Sequence, residues 1–200
     1  MSYILSRGVE VECVAPVRAT RDFKFQALGR RAETRAVVLH WTGGRRGAAG
    51  VFETLRERGL SVHFVVEADG TVWQFADCDR RCSHAGPANS WSIGVEIVNP
   101  AGAVLTAKDA ADGRTLAECS IRGQRVRHAS FTAPQTRSAL ALTRAVCAAW
   151  GLPFRARAGG DTATARELAE FRGVLGHYEI SDEKTDPGRG ILDLVNEARP

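Results

Sequence analysis

Short, predominantly apolar runs are the clearest pattern in this chain. They cover 36–41, 92–98 and 174–177, and such runs are typical of strands buried on both faces of a sheet. Two further β-rich runs, 61–66 and 71–75, are joined through Asp69 and Gly70. Because Asp-Gly is a strong turn signal, this pair predicts a β-hairpin.

Helical periodicity appears between these runs. The pattern predicts helices over 49–58, 167–171 and 191–197. A longer helix is predicted from Thr132, where Thr132 and Gln135 form a capping box, to about residue 150. Strands and helices mix without a strict βαβ repeat, so the predicted fold class is α/β, with a mixed central β-sheet flanked by helices.

The organisation along the chain predicts one main domain over 36–200. Residues 1–35 are expected to form an N-terminal arm or short strands packed on the core. The polar stretch at about 101–130 is expected to be an inserted hairpin or excursion, with Asp112 and Gly113 as a turn.

No apolar run approaches the roughly 20 residues that a membrane helix requires, so membrane insertion is not expected. The first residues lack the pattern of a signal peptide, which predicts synthesis in the cytoplasm. Action on a target outside the cytoplasm would then require release or delivery by another system.

The formal net charge of +4 and a pI of about 9.0 fit an anionic partner. The arginine pairs lack the aromatic residues of single-strand binders, so a nucleic-acid partner is not expected. The five cysteines are odd in number and irregularly spaced, which argues against a complete disulfide framework. Cys78, Cys82 and His84 could form a metal clip, but ordinary half-buried thiols are the favoured interpretation.

His40 and His177 are the candidate residues for chemistry, because each ends an apolar run. Asp186 follows nine residues after His177, in a loop that contains Pro187 and Gly188. Two imidazoles and a carboxylate can form a three-ligand zinc site with an open fourth position. Taken singly, each residue has a plainer interpretation: a structural hydrogen bond for the histidines, and a solvated or Lys184-paired carboxylate for Asp186.

Seven segments in order resemble the type-2 N-acetylmuramoyl-L-alanine amidases, a family that includes phage lysozyme-amidases, cell-wall recycling amidases and peptidoglycan recognition proteins. The resemblance spans residues 36 to about 195. It rests on segments 39–42, 61–72, 83–86, 92–99, 131–135, 176–180 and 184–188.

The resemblance implies Zn²⁺ as cofactor and assigns a role to each matching residue. His40, His177 and Asp186 match the zinc ligands, and Lys184 matches a lysine that stabilises the developing oxyanion. Glu96 matches a glutamate that some relatives use as the general base on the zinc-bound water, with a buried salt bridge as the alternative role.

Three more residues are expected to contact the substrate, namely Trp41, His84 and His63, with structural hydrogen bonding as the alternative for His63. Some relatives carry a catalytic tyrosine immediately before this last histidine, and here that position is Val62. The substitution favours Glu96 as the base. His128 matches nothing in the family, and a surface position is expected for it.

The function that follows is zinc-dependent hydrolysis of the amide bond between N-acetylmuramic acid and L-alanine, with peptidoglycan or a muropeptide as substrate. Two alternatives stay open: a module that only binds wall fragments, and a zinc amidase with another amide substrate. A role as an endolysin or a delivered antimicrobial effector would add a delivery system or an immunity protein as partner.

Overall fold

A computed structural model describes residues 2–5, 9–12, 17–18, 25 and 29–198. The strands are β1 (Ser2–Leu5), β2 (Val9–Glu12), β3 (Val17–Arg18), β4 (Ala36–Gly43), β5 (Phe64–Val66), β6 (Val72–Gln74), β7 (Ser92–Pro100), β8 (Leu116–Ile121), β9 (Gln124–Ala129) and β10 (Gly173–Gly176). The helices are α1 (Ala48–Glu57), α2 (Ala107–Ala111), α3 (Ala133–Ala149), α4 (Ala165–Glu170) and α5 (Gly190–Glu197), with 3-10 turns at Gly86–Ser90 and His177–Glu179.

A six-stranded sheet in the order β10-β4-β7-β5-β6-β3 forms the centre of the fold. The first four strands in this order run parallel, β5 and β6 pair antiparallel, and β3 runs parallel to β6. The predicted mixed sheet flanked by helices is therefore confirmed. β1 pairs with β2 in a separate two-stranded sheet, as does β8 with β9.

Successive side chains of β4 and β7 point to opposite faces of the sheet, so the core has a part on each face. Val37 and Leu39 pack with Ile93 and Val95 into the cluster that includes the buried residues of α3 and α5. Ala36 and Val38 belong to the opposite face. Because side chains alternate along a strand, His40 and Glu96 continue the face that points away from α3.

The predicted helix from Thr132 is confirmed, and its capping box is present. The hairpin within 101–130 is also observed, as β8 and β9. The predicted turn at Asp112 and Gly113 is confirmed; it directly follows α2, and Gly113 has a φ of 77°. Among the described residues, no helix is both long and apolar enough to cross a bilayer.

Candidate metal centre and cleft

The parallel pairing of β4 with β7 brings two of the predicted site residues together. His40 and Glu96 are register partners in this ladder, so their side chains lie on the same face of the sheet. β10 pairs with the other side of β4 and ends at Gly176. His177 follows at once, which places it at the same edge as His40.

Three donor atoms meet at this edge. Nδ1 of His40 lies 3.1 Å from Nδ1 of His177 and 3.1 Å from Oδ2 of Asp186. Nδ1 of His177 lies 3.0 Å from the same Asp186 oxygen. Ligands of a tetrahedral zinc at about 2.0–2.1 Å would be roughly 3.3 Å apart. The spacing and chemistry of this group therefore fit a metal ion.

Burial and hydrogen bonding shift the pKa values of His40 and Asp186 from their usual ranges. Burial lowers the pKa of His40, which favours the neutral imidazole that a metal requires. Burial raises the pKa of the Asp186 carboxyl, but hydrogen bonds with His177 and His40 outweigh it, and the net pKa lies below its usual range. The surroundings of His40 and Asp186 therefore suit a neutral imidazole and an ionised carboxylate at these two positions.

His84 contacts the far side of the His40 ring. Nε2 of His40 lies 3.0 Å from Nδ1 of His84, and Nε2 of His84 lies 3.3 Å from Oγ of Ser92. If Nδ1 of His40 faces a metal, its Nε2–H can donate to His84, whose own Nε2–H can then donate to Ser92. The Ser92 hydroxyl donates to the Ala88 carbonyl at 2.7 Å. This chain of contacts would hold His40 in one tautomer and orientation.

The loop that carries Lys184 and Asp186 closes back on the turn that carries His177. The backbone N–H of Tyr178 donates to the Asp186 carbonyl at 3.1 Å, and that of Lys184 donates to the Ser181 carbonyl at 3.2 Å. These two contacts place the third metal-ligand candidate, Asp186, and the lysine beside the strand edge.

A cleft of about 520 Å³ opens at this edge, and His40, Trp41, His84, Glu96, His177, Lys184 and Asp186 all line it. A second cleft of about 460 Å³ meets it at His177 and Lys184. The Lys184 ammonium has no hydrogen bond or ion pair with any residue that the structure describes. It is therefore available to a bound molecule.

Glu96 presents a half-buried side chain to the same cleft. Its Oε2 atom is buried and has no hydrogen-bond partner among the described residues. Burial, with the Asp186 charge as a smaller contribution, raises the pKa of Glu96 to about 8. A buried polar atom without a partner is costly, so this oxygen is a candidate for contact with a ligand or water.

His63 is placed differently from the other predicted substrate contacts, since it is fully buried. Its Nδ1 accepts from the Gly94 N–H at 2.9 Å, and its Nε2 lies 2.9 Å from the Arg80 carbonyl. Burial, together with the nearby Arg31 charge, lowers the pKa of His63 to about 3. This environment fits the alternative of structural hydrogen bonding better than a contact with substrate.

His128 contradicts its expected surface position, because only 5% of it is exposed. Its ring centroid lies 4.9 Å from that of Trp41. A Cβ at Gly188 would lie 2.8 Å from Nε2 of His128, so the ring packs tightly against the Asp186 loop. Sequence alone gave no signal for this, because the contact joins the insertion to a loop about 60 residues further on.

The four described cysteines, Cys78, Cys82, Cys119 and Cys147, are free thiols. Cys78 and Cys82 are buried, and within the described part of the chain the His40, His177 and Asp186 group is the metal-type cluster that the side chains form. The side chain of Cys13 lies outside the described residues.

Solved structures share this fold at low sequence identity. The endolysin N-acetylmuramoyl-L-alanine amidase LysCS from Clostridium intestinale URNW is 15% identical, with a TM-score of 0.58 over 86% of this chain and 87% of that one. AmiD from E. coli, in complex with anhydro-N-acetylmuramic acid-L-Ala-D-gamma-Glu-L-Lys, is 19% identical, with a TM-score of 0.54 over 86% and 60%. Drosophila peptidoglycan recognition protein SA is 14% identical, with a TM-score of 0.55 over 92% of both chains.

Comparison with curated protein sequences finds no match. The family model for Amidase_2, described as N-acetylmuramoyl-L-alanine amidase, matches residues 30–189. That match covers β4, which carries His40, and β10, which leads to His177. It also covers the β8–β9 hairpin and the Asp186 loop. The chain therefore belongs to the N-acetylmuramoyl-L-alanine amidase family.

Proposed function

We propose that this chain hydrolyses the amide bond between N-acetylmuramic acid and L-alanine in peptidoglycan, using one zinc ion held by His40, His177 and Asp186. The observation that carries the proposal is the set of three donor atoms within 3.0–3.1 Å of one another at the mouth of a cleft. A bound zinc would polarise the amide carbonyl and lower the pKa of a water molecule.

Glu96 supplies the proton acceptor in this proposal. It lies on the strand next to His40, in register with it, and its raised pKa suits a group that takes a proton near neutral pH. The positive charge of a bound metal would lower the pKa of Glu96 from this raised value. Glu96 accepts a proton from the attacking water and can pass it to the leaving amine of L-alanine.

Lys184 supplies a positive charge beside the metal ligands. As the amide carbonyl carbon becomes tetrahedral, negative charge develops on its oxygen, and an ammonium group stabilises that charge in a site shielded from water. Lys184 lines both clefts, so it lies where they meet. A sugar in one cleft and a peptide stem in the other would place the scissile amide at this junction.

Trp41 and His84 have the remaining roles. The Trp41 ring lines the larger cleft and offers an apolar face for the substrate. His84 also lines that cleft, but its contact with Nε2 of His40 supports a positioning role for this histidine ahead of a direct role in substrate binding. The protein would act on the cell wall after release or delivery.

Mass spectrometry of a purified muropeptide digest tests the function. The expected products are the free sugar moiety and a peptide that begins with L-alanine, formed by the wild type and not by His177→Ala. Products cut at another bond would overturn the proposed substrate specificity. Tight binding of the fragment without any cleavage would favour the binding-module alternative.

A further inference from the structure

The tip of the hairpin formed by β8 and β9 holds the loop that carries Lys184. At this tip Ile121 pairs with Gln124, and Arg122 and Gly123 form the two-residue turn. Both turn residues have positive φ, 50° for Arg122 and 71° for Gly123. Such turns favour Asn, Asp or Gly at the first position, so an arginine there is energetically unfavourable.

The Arg122 guanidinium reaches across to the Lys184 loop. Its Nη2 donates to the Lys184 carbonyl at 2.8 Å, and its Nη1 donates to the Tyr178 carbonyl at 3.3 Å. These carbonyls belong to the proposed catalytic lysine and to the residue after His177. A single planar donor group therefore connects the two ends of the ligand-bearing segment.

The hairpin tip next to Arg122 is held in place by core packing and by a backbone hydrogen bond. Ile121 is buried in the main core cluster, and the Arg122 backbone N–H donates to the Gly160 carbonyl at 3.0 Å. The other arginines of the hairpin behave differently. Arg125 and Arg127 are exposed and pair with Glu118 on the neighbouring strand. Arg122 alone among these three extends toward the site.

We propose that Arg122 is a positioning residue: the hairpin tip presents its guanidinium to the Tyr178 and Lys184 carbonyls and thereby fixes Lys184 and Asp186 relative to the strand edge. The unfavourable backbone conformation at Arg122 directs its side chain toward this loop, and the contacts made there account for an arginine at this position. The consequence for turnover rests on the proposed role of Lys184, whereas the consequence for loop order does not.

The test uses the full chain with Arg122→Gly, which removes the guanidinium and relaxes the turn, so that a folding defect is not expected. Arg122→Lys keeps the charge without the two-carbonyl geometry, and Arg125→Ala is the matched control. Loss of such an outer contact typically costs about 10- to 100-fold in activity. We expect that decrease in kcat for Arg122→Gly, a smaller one for Arg122→Lys and none for Arg125→Ala.

A lysine-specific protease provides a readout that is independent of activity. The chain has three lysines, Lys24, Lys108 and Lys184, so cleavage after Lys184 can be measured against cleavage after Lys108 in α2. Opening of the loop should raise this ratio roughly 10-fold in Arg122→Gly, as expected for loss of a charge-assisted hydrogen bond, and leave it unchanged in Arg125→Ala.

An unchanged protease ratio in Arg122→Gly would overturn the proposal. A raised ratio with unchanged kcat would support the ordering of the loop by Arg122 and would contradict the catalytic role proposed for Lys184. If the wild type cleaves no muropeptide, the proposed function fails, and the protease ratio still decides whether Arg122 orders the loop.

Discussion

Two regions of the molecule contribute the proposed site, and they are held in different ways. His40 and Glu96 lie on β4 and β7, which are paired along most of their length, and β4 is also paired with β10. Lys184 and Asp186 lie on a loop whose position depends on a few backbone contacts and on the Arg122 guanidinium. A strand ladder fixes position through many repeated hydrogen bonds, whereas the loop depends on individual ones.

This difference predicts how each region responds to substitution. Changes on the strands should act through the chemistry of the side chain removed, because the backbone stays in place. Changes around the loop should also act through its position. A misplacement of about 1 Å can cost on the order of 100-fold in rate, so substitutions well away from the reacting atoms should matter more on the loop side.

The largest effect is expected from loss of a metal ligand in either region. His40→Ala and Asp186→Ala should each reduce activity by at least about 1,000-fold, because metal catalysis contributes several kcal/mol to the barrier. Turnover of a soluble muropeptide measures this. Glu183→Ala is the loop control, since Glu183 is exposed. Similar residual activity in the control and in Asp186→Ala would exclude Asp186 as a ligand.

Glu96→Gln should lower kcat by about 100- to 10,000-fold while zinc is retained. The amide keeps the shape of the carboxyl and its place on β7, but cannot accept the proton. Stopped assays of turnover, with metal analysis of the same sample, measure both quantities. A rate close to that of the wild type would mean that another group accepts the proton.

Lys184→Ala should lower kcat by roughly 100- to 1,000-fold, as for removal of one oxyanion donor. Affinity for the fragment should change little, because the charge that Lys184 stabilises exists only in the transition state. Calorimetry on an inactive Glu96→Gln background, with and without the lysine, isolates the binding step. Lys108→Ala is the control. A large loss of affinity would instead assign Lys184 to substrate binding.

A smaller effect is expected from Gly94→Ala on β7. A Cβ at Gly94 would lie 2.7 Å from Nδ1 of His84, the same atom that contacts Nε2 of His40, so this contact should be disturbed. Loss of such a partner typically costs about 10- to 100-fold in metal affinity. Competition with a zinc chelator measures it, with Gly190→Ala as control, since a Cβ there meets nothing within 4 Å. Unchanged affinity would show that His84 does not orient His40.

The strands that carry His40 and lead to His177 could largely be predicted from sequence, because strands buried on both faces of a sheet consist mainly of apolar residues. The capping box at Thr132 likewise marked α3. Both are local signals, and the observed elements confirm them.

The contacts on the loop side could not be predicted in this way. Arg122 bonds a carbonyl 62 residues away, and His128 packs on Gly188 across a similar separation. No periodicity or turn preference encodes such contacts, and the unfavourable φ of Arg122 runs against local propensity. A further capping box at Thr164 and Glu167, present in the structure at α4, was a local signal that the sequence interpretation overlooked.

Metal stoichiometry shows whether His40, His177 and Asp186 hold one zinc ion. Wild type, Asp186→Ala and Glu96→Gln would be equilibrated with zinc, freed of excess metal and measured by elemental mass spectrometry. We expect one zinc per chain in the wild type and in Glu96→Gln, and a loss of most of it in Asp186→Ala. A wild type without zinc whose activity survives chelation, or Asp186→Ala with zinc undiminished, would contradict it.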